Sequence, residues 1–282
     1  MVKRLHALSF DVEEFFQVAN LRGHFARDDW DRVPSRLAIG MERILAALKA
    51  REAHATFFFL GWIAERHPQW VARVLEGGHE VASHGYEHLF LWDMDQDALV
   101  VDLERTEKAL VAAGAPRPIG FRASTFTLTR KTWWAFDVLA QRGYRYDSSV
   151  HPVRHPVYGV PDFEPGISEV ATRAGTIVEF PVSTVRCLGR NLPVGGGGYF
   201  RLLPGAVTRA AVRRLEARQR PASLYLHPWE LDPEQPRCPA PAFARFRHYL
   251  NLDRTLPRLE KLLLEFRFGS LREVLEAEGR LR

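Results

Sequence analysis

The segment Glu80-Val-Ala-Ser-His-Gly-Tyr-Glu-His88 joins an apolar strand pattern to a pair of histidines. Val81 and Ala82 are typical of the end of a short buried strand, and His84 and His88 follow it four residues apart. In a helical turn this spacing puts both imidazoles on one face, where their nitrogens can bind one metal ion. The spacing alone is not specific, because two histidines on a turn are more often a hydrogen-bonded surface feature.

Apolar runs on both sides of this segment alternate with helical patterns. Strands are predicted at 5–10, 55–60, 79–83, 119–122, 144–147, 176–182 and 222–227. Helices are predicted at 34–51, 68–76, 95–114, 129–142, 204–218, 251–266 and 270–278, with a Pro/Gly-rich loop at 148–175 and a flexible bend at 195–198. This alternation favours an α/β fold with one parallel sheet, either open or closed into a barrel.

The composition is that of one globular domain. The 282 residues are 46% hydrophobic and 26% charged, which is enough for a full core, and α/β barrels of this length commonly form one domain. The net charge of +5 comes mainly from arginines spread along the chain. We therefore predict no nucleic-acid partner and only a mild attraction to anionic polymers or membrane surfaces.

The sequence also gives expectations for the cellular compartment of the protein and for the state of its two cysteines. The first ten residues reach Asp11 before any hydrophobic run of signal length, and no stretch is long enough to span a membrane. A soluble, cytoplasmic protein is expected. Cys187 and Cys238 lack a C-x-x-C partner, so we predict neither a disulfide nor a thiolate metal site. No pattern indicates an oligomeric state.

Ionisable side chains stand at or just beyond the ends of five predicted strands. Because parallel α/β sheets bind ligands at the carboxyl ends of their strands, these side chains are predicted to line one pocket. They are Asp11, Glu13, His84, His88, Arg122, Asp147 and His227. Alternatively, Arg122 and Asp147 form a structural ion pair. His227, which precedes Pro228-Trp229, would then be a packed core histidine.

Five motifs follow one another along the chain: SFDVEE at 9–14, SHGYEH at 83–88, GFRAST at 120–125, YRYDSS at 144–149 and LYLHPWE at 224–230. In order and spacing they resemble the motifs of the polysaccharide deacetylases, the NodB-homology or carbohydrate esterase four group. Two further stretches, GGGGYFRLLP at 195–204 and the block that begins with HPWELD at 227–232, resemble the subgroup linked to exosortase and exopolysaccharide gene clusters.

The resemblance implies a distorted (β/α)7-type barrel in a single domain over 1–282, with a core at about 5–228 and a C-terminal helical extension at about 229–282. It implies metal-dependent hydrolysis of N-acetyl groups on an exopolysaccharide or its precursor. The expected ligands are one divalent ion, with zinc as the expected metal, and an N-acetylated glycan. Contact with a membrane surface or with exopolysaccharide machinery is a further expectation.

Carried over residue by residue, the resemblance makes His84 and His88 metal ligands and takes the third ligand from the acids of SFDVEE. Two imidazoles and one carboxylate leave a coordination position open for water. The metal lowers the pKa of that water toward ~7, which gives a hydroxide able to attack an amide carbonyl.

The same resemblance assigns the proton transfers. Asp11 would be the general base, and Arg122 would pair with it and keep it ionised. His227 would protonate the departing sugar amine, and Asp147 would fix the tautomer of His227. The backbone N–H of Thr125 would help to hold the oxyanion of the tetrahedral intermediate.

The first motif departs from the family pattern, which usually has two adjacent aspartates. Here Val12 follows Asp11, so the carboxylate ligand is either Glu13 or Glu14. Strand alternation puts Asp11 and Glu13 on one face and Glu14 on the other. We therefore predict Glu13 as the ligand.

The arginine motif departs as well, because proline and tyrosine usually follow it and this chain has Arg122-Ala-Ser-Thr-Phe126. The change affects the oxyanion role of Thr125 and the sugar platform, where Phe126 is predicted. Trp229 is predicted to stack on a sugar ring, although a tryptophan there also suits core packing. Further sugar contacts are expected from the loops at 14–33, 148–175 and 183–203, through Trp30, Tyr158 and Tyr199.

Two other functions stay open at this point. The D-x-E form of the first motif also resembles relatives that open cyclic amides such as allantoin, and the same metal chemistry serves both reactions. A non-catalytic glycan-binding relative is the second alternative. It is disfavoured because base, acid, arginine and ligands all have candidates in the sequence.

Overall fold

Strands alternate with helices over residues 5–147 in the computed structural model, which describes residues 4–155 and 157–281, and four further strands then follow before the next helix. The strands are β1 (Leu5–Val12), β2 (Thr56–Phe59), β3 (Glu80–Ser83), β4 (Gly120–Phe121), β5 (Tyr146–Asp147), β6 (Ser168–Thr172), β7 (Gly175–Glu179), β8 (Thr184–Cys187), β9 (Arg190–Pro193), β10 (Ser223–Leu226) and β11 (Arg267–Gly269). The helices are α1 (Leu37–Lys49), α2 (Gly61–Arg66), α3 (Pro68–Glu76), α4 (Gln96–Ala112), α5 (Ala135–Gln141), α6 (Gly197–Leu202), α7 (Gly205–Glu216), α8 (Ala242–Tyr249), α9 (Thr255–Glu265) and α10 (Leu271–Ala277).

The main sheet runs in the order β10-β1-β2-β3-β4-β5-β7-β6. Neighbouring strands are parallel except for β6 and β7, which are antiparallel. Strand β11 pairs in parallel with the first residues of β1, with Leu5 opposite Arg267, and β8 and β9 form a separate hairpin. The predicted α/β class and parallel sheet are therefore confirmed.

The wall between β7 and β10 is completed by irregular backbone. The Ser183 N–H donates to the Ser223 carbonyl at 3.0 Å, and the Tyr225 N–H donates to the Gly195 carbonyl at 2.7 Å. Gly196 forms a parallel bridge with Tyr225. This irregular seam produces the distorted barrel that was predicted.

The side chains of β2 show how the barrel separates two apolar layers. Phe57 and Phe59 pack in the layer between the sheet and the helices, whereas Phe58 packs with Ala82 and Tyr146 in the barrel interior. Successive side chains of a strand point to opposite faces, so a strand that is buried on both faces has an uninterrupted apolar sequence.

Helix α10 covers the amino-terminal end of the barrel. The Leu271 N–H donates to Thr56 Oγ1 at 2.7 Å, and the Arg272 N–H donates to Glu80 Oε2 at 3.1 Å. Thr56 and Glu80 are the first residues of β2 and β3. The polar side chains predicted to form a pocket lie at the opposite, carboxyl end of the sheet.

Several predicted elements differ from those in the structure. The helix at 129–142 is a short 3₁₀ turn, Arg130–Thr132, followed by α5, and the loop at 148–175 contains β6. The bend at 195–198 leads directly into α6. The C-terminal extension is not purely helical, because β11 inserts beside β1. These segments are short, and β6 and β11 are stabilised by strand partners rather than by a long local pattern.

Two smaller predictions concern cysteines and membrane spans. Cys187 and Cys238 are free, as predicted. Within residues 4–155 and 157–281, no helix has the length and apolarity needed to cross a membrane.

The barrel seam makes a prediction about stability. Gly196 has a φ of +142°, and a Cβ there would collide with the Tyr225 carbonyl. Gly175 also has a positive φ, +126°, but a Cβ would meet nothing within 4 Å. We expect Gly196→Ala to lower the free energy of unfolding by about 2 kcal/mol more than Gly175→Ala, because only the first change adds overpacking to backbone strain. Urea unfolding of both variants measures this difference, and equal losses would contradict the proposed packing of the seam.

Candidate active site

A pocket of about 460 Å³ lies at the carboxyl ends of the barrel strands. The residues of the predicted catalytic and metal sites that line it are Asp11, Glu13, His84, His88, Thr125, Phe126, His227 and Trp229. Asp11 lies on β1, His227 directly follows β10 and His84 directly follows β3. In the sheet, β1 is the neighbour of β10, and only β2 separates β1 from β3. Residues from distant parts of the sequence therefore meet in one place. Arg122 and Asp147 were also predicted to line the pocket, but they are fully buried and do not line it.

Glu13, His84 and His88 form a cluster whose ligand atoms all lie within 4.8 Å of one another. Glu13 Oε2 lies 3.0 Å from His88 Nε2 and is a buried oxygen with no hydrogen-bond partner among the described residues. His84 Nδ1 lies 2.8 Å from the carbonyl oxygen of Arg122, which leaves Nε2 free to face the cluster. Two imidazoles and a carboxylate with an unsatisfied oxygen fit a divalent ion such as zinc.

The geometry of the histidine pair differs from the prediction. Residues 84–88 are not a helical turn, since Gly85 has a φ of +76° and His88 a φ of +55°. The loop is held by the carboxylate of Asp102, which accepts from the Tyr86 N–H at 3.0 Å and 3.1 Å. The two imidazole rings still approach to 5.5 Å between centroids. The four-residue spacing therefore identified two histidines that lie close together, although a loop rather than a helical turn brings their rings together.

The two candidate carboxylates are distinguished by their contacts. Glu14 accepts from the side chain of Ser35 and from the backbone N–H groups of Arg36 and Leu37, so its oxygens are used at the start of α1. Glu13 faces the histidines instead. The choice of Glu13, which rested on strand alternation, is supported by this arrangement.

The electrostatics of the cluster favour the ligand forms of the two histidines. Burial, together with the charge of His227, holds the pKa of His88 well below its usual range. Burial also lowers the pKa of His84. Both rings therefore stay neutral, with nitrogen lone pairs able to bind a cation. Burial raises the pKa of Glu13 to about 7 in the protein alone, so a bound cation would stabilise the ionised carboxylate that the site otherwise disfavours.

Asp11 is paired with the fully buried guanidinium of Arg122. Arg122 donates to Asp11 Oδ1 at 2.6 Å and to Ser9 Oγ at 2.8 Å. It also donates to the Ser148 carbonyl and hydroxyl, at 3.0 Å and 2.9 Å. Its Cζ lies over the ring of Phe58, 4.1 Å from the ring centre. The predicted Arg122–Asp11 pair is therefore present, and the alternative pairing of Arg122 with Asp147 is not the one that forms.

His227 faces both acids of the site. Its Nε2 lies 3.3 Å from Glu13 Oε1 and 3.9 Å from Asp11 Oδ2, and its Nδ1 lies 2.5 Å from Glu230 Oε1. Arg201, which is buried, donates to the other oxygen of Glu230 at 2.5 Å. Burial opposes the charged imidazole, but the hydrogen bond and the charge of Glu230 outweigh it and raise the pKa of His227 to about 9.

The prediction that Asp147 orients His227 is wrong, because Glu230 occupies that position. Asp147 Oδ1 accepts from the Ser149 N–H at 2.9 Å, and its Oδ2 accepts from the Ser149 hydroxyl at 2.6 Å. Burial raises the pKa of Asp147 despite these contacts and a hydrogen bond with Glu179. Asp147 therefore helps to hold the loop after β5, which carries the Ser148 groups that bind Arg122.

Three residues of the pocket adopt left-handed backbone conformations that are uncommon outside glycine. They are His88, Thr125 and Phe126, with φ values of +55°, +54° and +56°. Such conformations cluster at functional sites, where the surrounding structure enforces them. The strained turn at 124–126 places Thr125 in the lining of the pocket that His84 and His88 also line, which is compatible with the oxyanion role predicted for its N–H.

The two predicted sugar-binding residues differ in what they offer. Phe126 lines the pocket and packs edge-on against Tyr225, with 4.9 Å between centroids. Trp229 stacks on His248 at 4.4 Å and lies against His227 at 5.2 Å, and its Nε1 donates to Glu13 Oε1 at 3.3 Å. Neighbouring rings therefore pack against Trp229, which corresponds to the core-packing alternative, and its N–H helps to hold Glu13 in place.

Among the loop aromatics, Tyr158 and Tyr199 line the pocket as expected. Trp30 does not, since it is buried against Phe16 and Trp62. Glu230 and Arg201 were missed by the sequence analysis. A signal for Glu230 existed, because an acid three residues after the strand-end histidine can reach back to it in a capping box. We find no local signal for Arg201.

Two family models together match most of the chain. Residues 30–146 match the model described as Polysaccharide deacetylase, and residues 148–276 match the model described as Domain of unknown function (DUF3473).

Curated relatives match over part of their length. A chitooligosaccharide deacetylase of Rhizobium leguminosarum bv. trifolii is 30% identical over 142 residues, which are 48% of this chain and 62% of that protein. A peptidoglycan deacetylase of Helicobacter pylori is 26% identical over 137 residues, which are 45% of this chain and 43% of that protein. The matches therefore span less than two thirds of either relative.

Solved structures confirm the fold. The chain resembles a crystal structure of a Mycobacterium smegmatis protein that is named as a polysaccharide deacetylase, with a TM-score of 0.67 at 18% identity over 100% of this chain and 94% of that one. Peptidoglycan deacetylase PdaC from Bacillus subtilis gives a TM-score of 0.50 at 13% identity, over 99% and 93% of the two chains.

Proposed function

The chain belongs to the polysaccharide deacetylase family, and we propose that it removes N-acetyl groups from a glycan by metal-dependent hydrolysis. The observation that carries the proposal is that Glu13, His84 and His88 share one pocket with the acid–base candidates Asp11 and His227. A glycan-binding relative without activity would not need this combination of a ligand cluster, a paired carboxylate and a tethered histidine.

Each residue has a defined part in the reaction. Glu13, His84 and His88 would hold the divalent ion, for which zinc is our proposal, and the ion would supply the Lewis acidity that makes water nucleophilic near neutral pH. Asp11, held by Arg122, accepts the proton of the attacking water. As the new C–O bond forms, the backbone N–H of Thr125 donates to the carbonyl oxygen on which negative charge develops.

His227 completes the reaction at the leaving group. Its Nε2 faces the site, and Glu230 keeps Nδ1 engaged. When the C–N bond breaks, His227 Nε2 donates its proton to the sugar nitrogen, which leaves as a free amine while the acetyl group leaves as acetate. The pKa of about 9 for His227 means that the ring carries this proton at neutral pH.

For the substrate we propose an exopolysaccharide or its lipid-linked precursor, deacetylated on the cytoplasmic side. The pocket supports a polymer because its lining extends from Glu13, His84 and His88 to Tyr158 on the loop after β5 and to Tyr199 on α6. Remote sugars bound there would add binding energy that can be used at the reacting amide.

Acetate release from a series of N-acetylated oligosaccharides tests this proposal. We expect kcat/KM to rise by roughly tenfold or more from a single sugar to an oligomer, because remote sugar contacts contribute binding energy. Equal rates on N-acetylglucosamine and on oligomers would contradict the polymer substrate. Hydrolysis of a cyclic ureide at the same rate would favour the cyclic-amide alternative, and no hydrolysis of any of these by metal-loaded protein would favour the glycan-binding alternative.

A further inference from the structure

One side of the pocket mouth is apolar and exposed. Twelve large hydrophobic side chains are exposed in the described part of the chain, and four of them line this pocket: Val157, Leu202, Phe243 and Phe246. We call these four residues the α8 rim. Phe243 and Phe246 are 71% and 54% exposed, and both belong to α8. Such a concentration of apolar surface beside one pocket is typical of an interaction surface.

The surroundings of the α8 rim are basic. The segment 235–252 contains no acidic residue and three exposed arginines, Arg237, Arg245 and Arg247. The Arg247 guanidinium lies 5.8 Å from the centre of the Phe243 ring, so cationic and aromatic groups alternate on the same helix. The acids that line the pocket, Asp11 and Glu13, are buried at its floor. The exposed surface is therefore suited to an anionic partner.

A sugar chain matches this chemistry less well than a lipid surface does. Sugars are bound by aromatic faces combined with carboxylates and amides that accept hydroxyl hydrogen bonds. Val157 and Leu202 are aliphatic and offer neither. Phenylalanine and aliphatic side chains beside arginines are instead the composition of helices that lie in the interface of an anionic membrane.

We propose that the α8 rim docks on an anionic phospholipid bilayer and holds the mouth of the pocket at the membrane surface. Phe243 and Phe246 would enter the boundary between headgroups and acyl chains, while Arg245 and Arg247 contact lipid phosphates. The docking does not depend on the proposed deacetylation, because it does not use Glu13, His84 or His88.

Co-sedimentation with vesicles tests the proposal on the whole chain. We expect binding to vesicles that contain phosphatidylglycerol and weak binding to pure phosphatidylcholine. The double variant F243S/F246S should lower partitioning by roughly tenfold or more. R245Q/R247Q should lower binding to anionic vesicles by a similar factor and reduce its salt dependence, since each arginine near the surface contributes to the attraction.

The matched control is Leu264→Ser, because Leu264 is 60% exposed on α9 and does not line the pocket. It should bind vesicles as the wild type does. His84→Ala should also bind fully, which separates this proposal from the fate of the catalytic one. The proposal is overturned if the wild type ignores anionic vesicles, or if Leu264→Ser loses as much binding as F243S/F246S. It is also overturned if the phenylalanine variants lose only oligosaccharide binding or self-association.

Discussion

Replacing His84 by alanine should remove the bound divalent ion and lower turnover by roughly 10³-fold or more, since the ion is expected to supply several kcal/mol of stabilisation to the transition state. His84 contributes one of two imidazoles to a buried cluster with Glu13 and His88. Its loss leaves one imidazole and one carboxylate, too few ligands for tight zinc binding. Metal analysis of the purified protein measures the first effect, and acetate release measures the second.

Two acid variants provide the matched comparison. Glu13→Ala should lose the metal as His84→Ala does, because Glu13 Oε2 faces His88 Nε2 at 3.0 Å. Glu14→Ala should keep the metal and lose stability instead, because Glu14 binds Ser35 and the first backbone N–H groups near α1. Stoichiometric metal in His84→Ala would exclude the ligand assignment, and metal loss in Glu14→Ala but not in Glu13→Ala would transfer the third ligand to Glu14.

Replacing Glu230 by glutamine should lower kcat by roughly 10³- to 10⁴-fold while the metal stays bound, which is the size of effect seen when the acid that orients a catalytic histidine becomes an amide. Glu230 lies 2.5 Å from His227 Nδ1 and receives a hydrogen bond from buried Arg201. An amide can donate to Nδ1 and so favour the wrong tautomer of the ring.

The pH profile separates this role from a structural one. His227 must be protonated to act as the acid, so the rate should fall as the pH rises through its pKa of about 9. Without the charge of Glu230 the effect of burial dominates, the pKa of His227 falls, and the alkaline limb of kcat moves to lower pH. A Glu230→Gln enzyme whose alkaline limb is unchanged would contradict the positioning role.

Asp147→Asn is the comparison for Glu230→Gln. Asp147 is bound to Ser149 and sits under the loop that carries the Ser148 groups. We expect this variant to lower the melting temperature and leave the alkaline limb in place, because Asp147 does not orient His227. If the alkaline limb shifted in Asp147→Asn but not in Glu230→Gln, Asp147 would be the residue that orients His227, as the sequence motif suggested.

Much of the fold follows from local patterns in the chain. Strand β2 contains the apolar run 57–59, and Pro68 followed by an apolar period and Gly77 delimits α3 at the predicted residues. The short segments were not predictable in this way. Strand β11 has three residues and exists because it pairs with β1, and β6 exists because it pairs with β7.

The sequence by itself determined that Asp11, His84 and His227 meet in the pocket, because each lies at or directly after the end of an apolar strand, and parallel strands place these ends together. Because successive side chains of a strand point to opposite faces, the sequence also distinguished Glu13, on the same face as Asp11, from Glu14.

Only the tertiary structure decided the partners of these residues. His227 could be oriented by any acid within reach, and the choice fell to Glu230 because the turn after β10 folds it back onto the ring and Arg201, brought in by α6, compensates its buried charge. Trp229 became a support for Glu13 because His248 of α8 occupies a stacking position on it. A hydrogen bond or a ring contact depends on angles and distances of a few ångströms between separate segments, and residue type and spacing do not encode those.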